Sequence, residues 1–311
     1  MIITVTMNPA IDKTVDIERL ERGGLNRIQN VEMDAGGKGI NVSKTIKALG
    51  GESLAVGFLG GKAGEAIESV LKDWGIPADF IQVGGETRTN LKVVEKMGEV
   101  TELNEPGPAV SEAQVEELLS KLESYADADT LFVLAGSIPK GVDKNIYKVI
   151  TERVHKKGAK VLMDADGELF VHGLEGKPDM VKPNRVELEA YYHLDYRASE
   201  SELASMGRKL LNNGSSLAAI SLGQMGALFL NEERIVRCPG LTVKAHSTVG
   251  AGDAMVAALA YSWDKKLDFE HTVQLGMAAS AGAVTTIGTK PPAREVVDEL
   301  VKQVVIEDVK E

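Results

Sequence analysis

Short apolar runs alternate with helix-patterned segments through most of this chain, and that alternation constrains the fold more than any other feature. Val56-Gly57-Phe58-Leu59 reads as a strand, and Ala63 to Trp74 as a helix with Ile67, Val70, Leu71 and Trp74 at helical spacing. Ser111-Glu112-Ala113-Gln114 is a capping-box signature opening a helix striped by Val115, Leu118, Leu119 and Leu122. Thr130 to Leu134 reads as a strand, and Ile146, Val149, Ile150 and Val154 stripe the next helix. Strand patterns recur at Lys160 to Met163, Met180 to Lys182 and Leu217 to Leu222, with a helix marked by Leu203, Met206, Leu210 and Leu211 before the last. Such an order predicts a mostly parallel sheet with helices on both faces. Ligands then bind beyond the carboxyl ends of the strands.

Two regions break the alternation. Residues 13–34 carry weak, short strands around Val15, Ile17, Ile28 and Val31. Residues 88–103 read as a hairpin, Asn90 to Glu95 and Glu99 to Leu103, turning at Met97-Gly98. Neither brings a helix. Together they are expected to form a small sheet that acts as a lid, an ordinary edge hairpin being the alternative. No linker divides the chain, so residues 1–311 are read as one domain.

Composition narrows the function. The formal net charge of −11 argues against a nucleic-acid or membrane-surface binder. No apolar run approaches the ~20 residues of a membrane span. The N-terminal Met1-Ile2-Ile3-Thr4-Val5-Thr6 enters a strand pattern with no basic lead, so no signal peptide is expected. The single cysteine, Cys238, precludes an intrachain disulfide and suits a reducing cytoplasm. The five histidines are scattered, without ligand spacing.

The chemistry concentrates in Thr248-Val249-Gly250-Ala251-Gly252-Asp253-Ala254, which runs into a helix pattern at Met255, Val256, Leu259 and Ala260. Glycines let backbone N–H groups converge on an anion, and the helix N-terminus adds donors and a positive dipole end. A carboxylate inside an anion hole repels phosphate, so Asp253 needs a role there. A base that takes the proton of a nearby hydroxyl supplies one, which reads as phosphoryl transfer to an alcohol. The bland alternative is a glycine turn with an aspartate N-cap.

A second cluster, Asp34-Ala35-Gly36-Gly37-Lys38-Gly39-Ile40-Asn41, also precedes a helix pattern. Backbone there suits a polyhydroxyl ligand, and Lys38 suits a phosphate. It is neither a Walker A loop nor a dinucleotide fingerprint. Lys182-Pro183-Asn184-Arg185-Val186-Glu187 starts another helix, with Asn184 an N-cap and Glu187 one turn on. Ser221-Leu222-Gly223-Gln224-Met225-Gly226 either admits a nucleotide or makes a hairpin.

In order along the chain, these clusters resemble the ribokinase-like sugar kinases of the phosphofructokinase B branch. The resemblance covers nearly the whole chain. It rests on Asn8-Pro9 with Asp12, GGKGIN at 36–41, TRTN at 87–90, LAGSIP at 134–139, KPN with Glu187, SLG at 221–223 and VGAGD at 249–253. It implies a three-layer α/β/α domain with a mostly parallel central sheet and a small β lid, often paired lid to lid in a homodimer. The implied activity is ATP- and Mg2+-dependent phosphorylation of a sugar phosphate. GGLNR at 23–27, GGKGINVS at 36–43 and LAGSIP at 134–139 favour fructose 1-phosphate, with tagatose 6-phosphate the alternative acceptor and a non-catalytic sensor a more distant one.

The resemblance also implies roles. Asp253 is the base, and Gly250, Ala251 and Gly252 form the anion hole. Asp12, Gly37, Lys38, Asn41 and Ser137 hold the sugar phosphate, which Arg88, Asn90 and Arg27 reach from the lid. Asn184 and Glu187 organise Mg2+ and the nucleotide phosphates through water, and Ser221, Gly223 and Gly226, with Gly252, line the nucleotide pocket. Departures from the family pattern are Ala254, Asp166 and the run Ala245-His246-Ser247-Thr248.

Overall fold

The computed structural model describes residues 1–246 and 248–309; Ser247 lies outside them. The chain opens with β1 (Ile2–Thr6), β2 (Ala10–Ile17), β3 (Asn30–Gly36), α1 (Lys38–Ala48), β4 (Leu54–Leu59), α2 (Gly61–Asp73) and β5 (Ile81–Gln82). It continues with β6 (Arg88–Glu95), β7 (Val100–Asn104), α3 (Glu112–Tyr125), β8 (Leu131–Ala135), α4 (Ile146–His155), β9 (Lys160–Asp164), α5 (Gly167–Glu175) and β10 (Met180–Val181). There follow α6 (Arg185–Tyr191), α7 (Glu200–Asn212), β11 (Leu217–Ser221), β12 (Gly226–Asn231) and β13 (Ile235–Pro239). The last elements are α8 (Ala251–Asp264), α9 (Phe269–Ala283), α10 (Arg294–Val301) and β14 (Glu307–Asp308).

Ten strands form the main sheet in the order β14-β13-β12-β11-β10-β9-β8-β1-β4-β5. Every pair from β11 to β5 is parallel, and the three pairs from β11 to β14 are antiparallel. Alternate side chains feed the two faces, as a period of two requires. Phe132 and Leu134 of β8 join the core under α3, α4, α5 and α7. Leu131 and Val133 join the opposite core with Val42 and Ile46 of α1 and Val256, Leu259 and Ala260 of α8. The three-layer α/β/α architecture expected from the alternation is therefore present. The Ser221–Gly226 turn joins β11 to β12 as a hairpin, one of the two readings of that cluster, and β12 and β13 extend the sheet antiparallel at one end.

The second sheet, β3-β2-β6-β7, is the small sheet expected from residues 13–34 and 88–103. Its boundaries reach further than the sequence pattern. β2 begins at Ala10, so Asp12 lies within a lid strand, and β3 runs through Asp34 and Ala35 to Gly36. The glycine cluster before α1 is thus the end of a lid strand rather than a free loop. β2 pairs with β6 in parallel, which sets Asp12 beside Asn90 and Thr14 beside Lys92. Val15, Ile17 and Val93 form a small apolar cluster on the other face of this sheet.

Candidate active site

The carboxyl ends of the parallel strands, the N-termini of α1 and α8 and the polar face of the lid enclose a cleft of about 470 Å³. Gly37 turns the chain from β3 into α1 with φ 105, and a Cβ there would meet Thr6 Cγ2 at 2.7 Å. Only glycine fits both demands. Gly250 does the same work before α8, in the left-handed region at φ 85. The first N–H groups of α8 consequently face the cleft without intrahelical acceptors.

Asp253 lies in that first turn, lines the cleft and is 8% exposed. Asn41 Nδ2 donates to its Oδ2 at 2.9 Å, joining the two glycine-rich clusters directly. Burial pushes the Asp253 carboxyl up to about 6, against the pull of the Lys38 charge and the Asn41 hydrogen bond and with help from Asp164. The bland reading, an N-cap, does not hold. The N-cap is Gly250, and Asp253 makes no capping bond.

Beside Asp253 runs a chain of alternating charge. Asp164, at the end of β9, is 1% exposed and lies between Lys38 Nζ at 3.1 Å and Lys182 Nζ at 3.0 Å. Burial opposes the Asp164 charge, yet Lys182 and Lys38 hold its carboxyl below the usual range. Burial likewise opposes the Lys38 charge, while Asp164 and Asp253 keep the ammonium firmly protonated. Lys182 approaches Gly252, whose added Cβ would lie 3.5 Å from the ammonium nitrogen. Two cations therefore flank the N-terminus of α8.

The lid wall carries Asp12, 7% exposed, which accepts from Asn90 Nδ2 at 3.1 Å and from Lys92 Nζ at 3.1 Å. Arg88 is half-buried, and its guanidinium is held by the Asn8 carbonyl through Nε at 3.2 Å and Nη2 at 2.9 Å and by the Glu105 carbonyl at 3.1 Å. Nη2 also lies 3.5 Å from Ser137 Oγ, so Arg88 and Ser137 form one end of the cleft.

At the opposite end, Asn184 caps α6. Its Oδ1 accepts from Glu187 N at 2.8 Å, and Glu187 Oε2 accepts from Asn184 N at 2.8 Å. The structural role of Asn184 is thus real, but both residues also line the cleft. Burial raises the Glu187 carboxyl, an effect the Asn184 backbone bond opposes. A bridge between Asn184 and Ser221 sets the SLG turn alongside. Gly223 lines an adjoining cavity of about 710 Å³ that shares Asn184 and Ser221 with the cleft.

Of the residues named from sequence, Asp12, Gly37, Lys38, Asn41, Arg88, Asn90, Ser137, Asn184, Glu187, Ser221, Gly250, Gly252 and Asp253 line this one cleft. Ala251 begins α8 between two of them. Arg27 does not join them. It is exposed on the segment between β2 and β3 and does not line the cleft, so it does not reach the sugar-phosphate site as expected. Gly226 is buried where β12 starts, with the Cys238 carbonyl 2.0 Å from any added Cβ. Its place is explained by the hairpin backbone, and it lines neither cavity. The cleft also contains Lys92, Glu102, Asn104, Asp164, Lys182 and Thr289, for which no role was read from sequence. Among the described residues, no group of three or more His, Cys, Asp or Glu side chains is placed to hold a metal ion.

A buried carboxylate in the first turn of a helix that opens on the cleft, flanked by lysines and roofed by a polar lid, has the build of a phosphotransferase of the ribokinase-like class. The sequence matches the pfkB family carbohydrate kinases over residues 5–295, and the chain belongs to that family. It is 34% identical to 1-phosphofructokinase of Bacillus subtilis (strain 168), over 98% of each chain. It is 33% identical to D-tagatose-1-phosphate kinase of Bacillus licheniformis, over 92% of each. Among solved structures, phosphofructokinase-2 from Escherichia coli in complex with substrates and products superposes with a TM-score of 0.92 at 28% identity, covering 97% of this chain and 98% of that one.

Proposed function

We propose that this protein transfers the γ-phosphoryl group of ATP to the 6-hydroxyl of fructose 1-phosphate, giving fructose 1,6-bisphosphate and ADP. The observation that carries the reading is Asp253, a buried carboxylate pushed up to about 6 at the N-terminus of α8. Near neutral pH it is ionised yet basic enough to take a proton in the transition state. As Asp253 Oδ takes the hydroxyl proton, the sugar oxygen bonds to the γ-phosphorus and the bond to the β–γ bridging oxygen breaks, releasing ADP. The N–H groups at Gly250, Ala251 and Gly252 face the transferring phosphoryl, and Lys38 and Lys182 supply flanking positive charge.

The sugar phosphate lies between Asp253 and the Arg88–Ser137 end of the cleft, so Arg88 rather than Arg27 anchors its phosphate within one chain. Asp12, Asn41 and Asn90 face the ring hydroxyls. Asn41 Oδ1 and Asn90 Oδ1 are buried without a partner, as acceptors awaiting sugar hydroxyls would be. The nucleotide phosphates run from α8 toward Asn184, Glu187 and Ser221, with Gly223 and Gly252 beside them. Glu187 has one carboxylate oxygen committed to the cap, which leaves the other for a metal-bound water. Mg2+ held there by Glu187 and Asn184 through water would neutralise charge on the phosphates.

The lid also leaves Val31, Met33 and Leu103 exposed at 47%, 64% and 58%. We assign them to a lid-to-lid homodimer, tested by light scattering on the purified protein; a monomer at micromolar concentration would refute it. The single cysteine is buried, as suits a cytoplasmic enzyme.

The kinase reading is tested by ADP release with fructose 1-phosphate, fructose 6-phosphate, tagatose 1-phosphate and tagatose 6-phosphate. A kcat/KM for fructose 1-phosphate at least ~10-fold above the others is expected, from one or two ring hydroxyls correctly paired. Preferred turnover of a tagatose phosphate would replace the acceptor and keep the chemistry. Binding of both ligands with no ADP formed would favour a sensor.

A further inference from the structure

Lys92 is out of place for a lysine in a small, half-exposed sheet. Its ammonium lies 3.1 Å from Asp12 Oδ2, and the two side chains are only 9% and 8% exposed. It stands on the polar face of the lid, directly opposite Glu102 on β7, and both line the cleft. A buried lysine–carboxylate pair gives little net stability, because desolvation offsets its Coulomb attraction. Its effect is geometric. Asn90 Nδ2 holds Asp12 Oδ1, and Lys92 holds Oδ2. Gly36 makes room for that carboxylate, since a Cβ there would lie 2.5 Å from Asp12 Oδ2. Each carboxylate oxygen accepts about two hydrogen bonds. With one site on each oxygen filled by the lid, the remaining pair is left to accept from two neighbouring hydroxyls.

We propose that Lys92 is a specificity-determining positioning residue: it locks the Asp12 carboxylate in the orientation that reads adjacent ring hydroxyls of a ketohexose phosphate, and so rejects the epimer at C4. Lys92 acts through Asp12 and does not bind the substrate phosphate, which Arg88 and Ser137 receive. This inference rests on the fructose 1-phosphate reading above. A lid lacking Lys92 leaves Asp12 free to turn, and the wrong epimer then costs less relative to the right one.

The test compares kcat/KM for fructose 1-phosphate and for its C4 epimer, tagatose 1-phosphate, in the wild-type protein, Lys92→Met, Lys92→Arg, Asp12→Asn and the Asp12→Asn/Lys92→Met double variant. Lys92→Met is expected to reduce the ratio of the two by about 5–30-fold, mainly through the KM for fructose 1-phosphate, in line with one lost discriminating hydrogen bond. The KM for ATP should barely move; the thermal midpoint should fall, because the Asp12 charge is left buried without its cation, and should recover in the double variant. Lys92→Arg should restore most of the ratio. In the Asp12→Asn background, adding Lys92→Met should change the ratio by less than about 2-fold, because the two act as one unit. An unchanged ratio in Lys92→Met overturns the inference. So does an undiminished effect in the Asp12→Asn background, which would mean direct contact with substrate. Equal losses for both sugars and ATP, leaving the ratio between the sugars unchanged, would make Lys92 merely structural and also overturn it. Failure of the wild-type protein to phosphorylate either sugar overturns the acceptor reading and this inference with it, whereas wild-type turnover with an unchanged variant ratio overturns this inference alone.

Discussion

Two aspartates sit at nearly equal depth in the same cleft, one on its floor and one on its lid, and they have opposite partners. Asp253 accepts one hydrogen bond from a neutral amide, that of Asn41, and Lys38, whose charge reaches it, pairs directly with a different acid, Asp164. Asp12 accepts from an amide and from an ammonium, those of Asn90 and Lys92. Burial without a directly paired cation leaves the Asp253 carboxyl raised to about 6, whereas both oxygens of Asp12 are engaged by donors of the lid. On the proposed reading, the first arrangement suits a residue that moves a proton and the second a residue that holds a ligand. Depth alone does not assign a role; the partner does.

The contrast breaks first at Asp253. Asp253→Asn keeps size and polarity and removes the proton acceptor, so kcat should fall by ~10²–10⁴-fold, the usual range for a general base. The KM values for ATP and sugar phosphate should change little. In the wild-type protein, kcat/KM should fall as pH drops below about 6, where the carboxyl takes up its proton. The residual rate of the Asn variant should lose that acidic limb. Near wild-type turnover, or an acidic limb that persists, would take the base role away from Asp253.

The same substitution tests the electrostatic strain. The carboxyl rises from an ordinary 3.8 to about 6 on folding. Below the lower value both states are protonated and the group contributes nothing. Between the two values the unfolded chain ionises first, so the native state loses stability as pH rises, and above about 6 the full penalty is present. By linkage that penalty is of the order of 3 kcal/mol. Asp253→Asn should therefore stabilise the protein at pH 8 by up to that amount in urea unfolding, with the gain shrinking toward pH 4. Equal stability at pH 8 would mean that the cleft carries no such strain.

The lid side is expected to respond differently. Arg88 has a charge available for the sugar phosphate, worth roughly 1.5–3 kcal/mol when desolvated. Arg88→Ala should raise the sugar-phosphate KM by ~10–100-fold and leave the ATP KM near its original value. The guanidinium also ties the Asn8 and Glu105 carbonyls together. A parallel rise in both KM values would therefore assign Arg88 to the lid's architecture and not to the phosphate.

The two regions also differ in how far the sequence reveals them. Asp253 announces itself, because glycines ahead of an apolar helix have a local cause and a local consequence. Asn184 and Glu187 were legible for the same reason, since a capping box lies within four residues. The lid is harder. Asp12 meets Asn90 and Lys92 only through a parallel pairing of strands about 80 residues apart, and nothing local states that register. Lys92, one residue in an alternating strand, reads as an ordinary solvent-facing lysine until the sheet folds over the cleft. Lys182 and Asp164 stand at strand ends, where charge usually marks exposure, and their mutual burial is visible only in three dimensions. Helices α1 to α4, α7 and α8 and the parallel strands β4 and β8 to β11 follow from periodicity, whereas the Ser221–Gly226 turn admits the hairpin into β12 without requiring it.

Asn41 belongs to both halves of the comparison, and it gives the finest test. Its Nδ2 holds Asp253, while its Oδ1 is buried with no partner, facing the space where a sugar hydroxyl would lie. Removing the amide takes a hydrogen bond from the charged form of the base, so the acidic limb of the pH–rate profile should move upward from about 6. At pH 8 the base remains largely ionised, and Asn41→Ala should cost kcat less than ~10-fold, about the value of one such hydrogen bond. The sugar-phosphate KM should rise separately, since Oδ1 no longer receives a hydroxyl. The sign of the pH shift is decisive, because loss of substrate contact alone leaves the limb where it was. A limb that stays in place, or moves to lower pH, would mean that Asn41 serves the sugar and not the base, and that Asp253 is tuned by burial and the lysines alone.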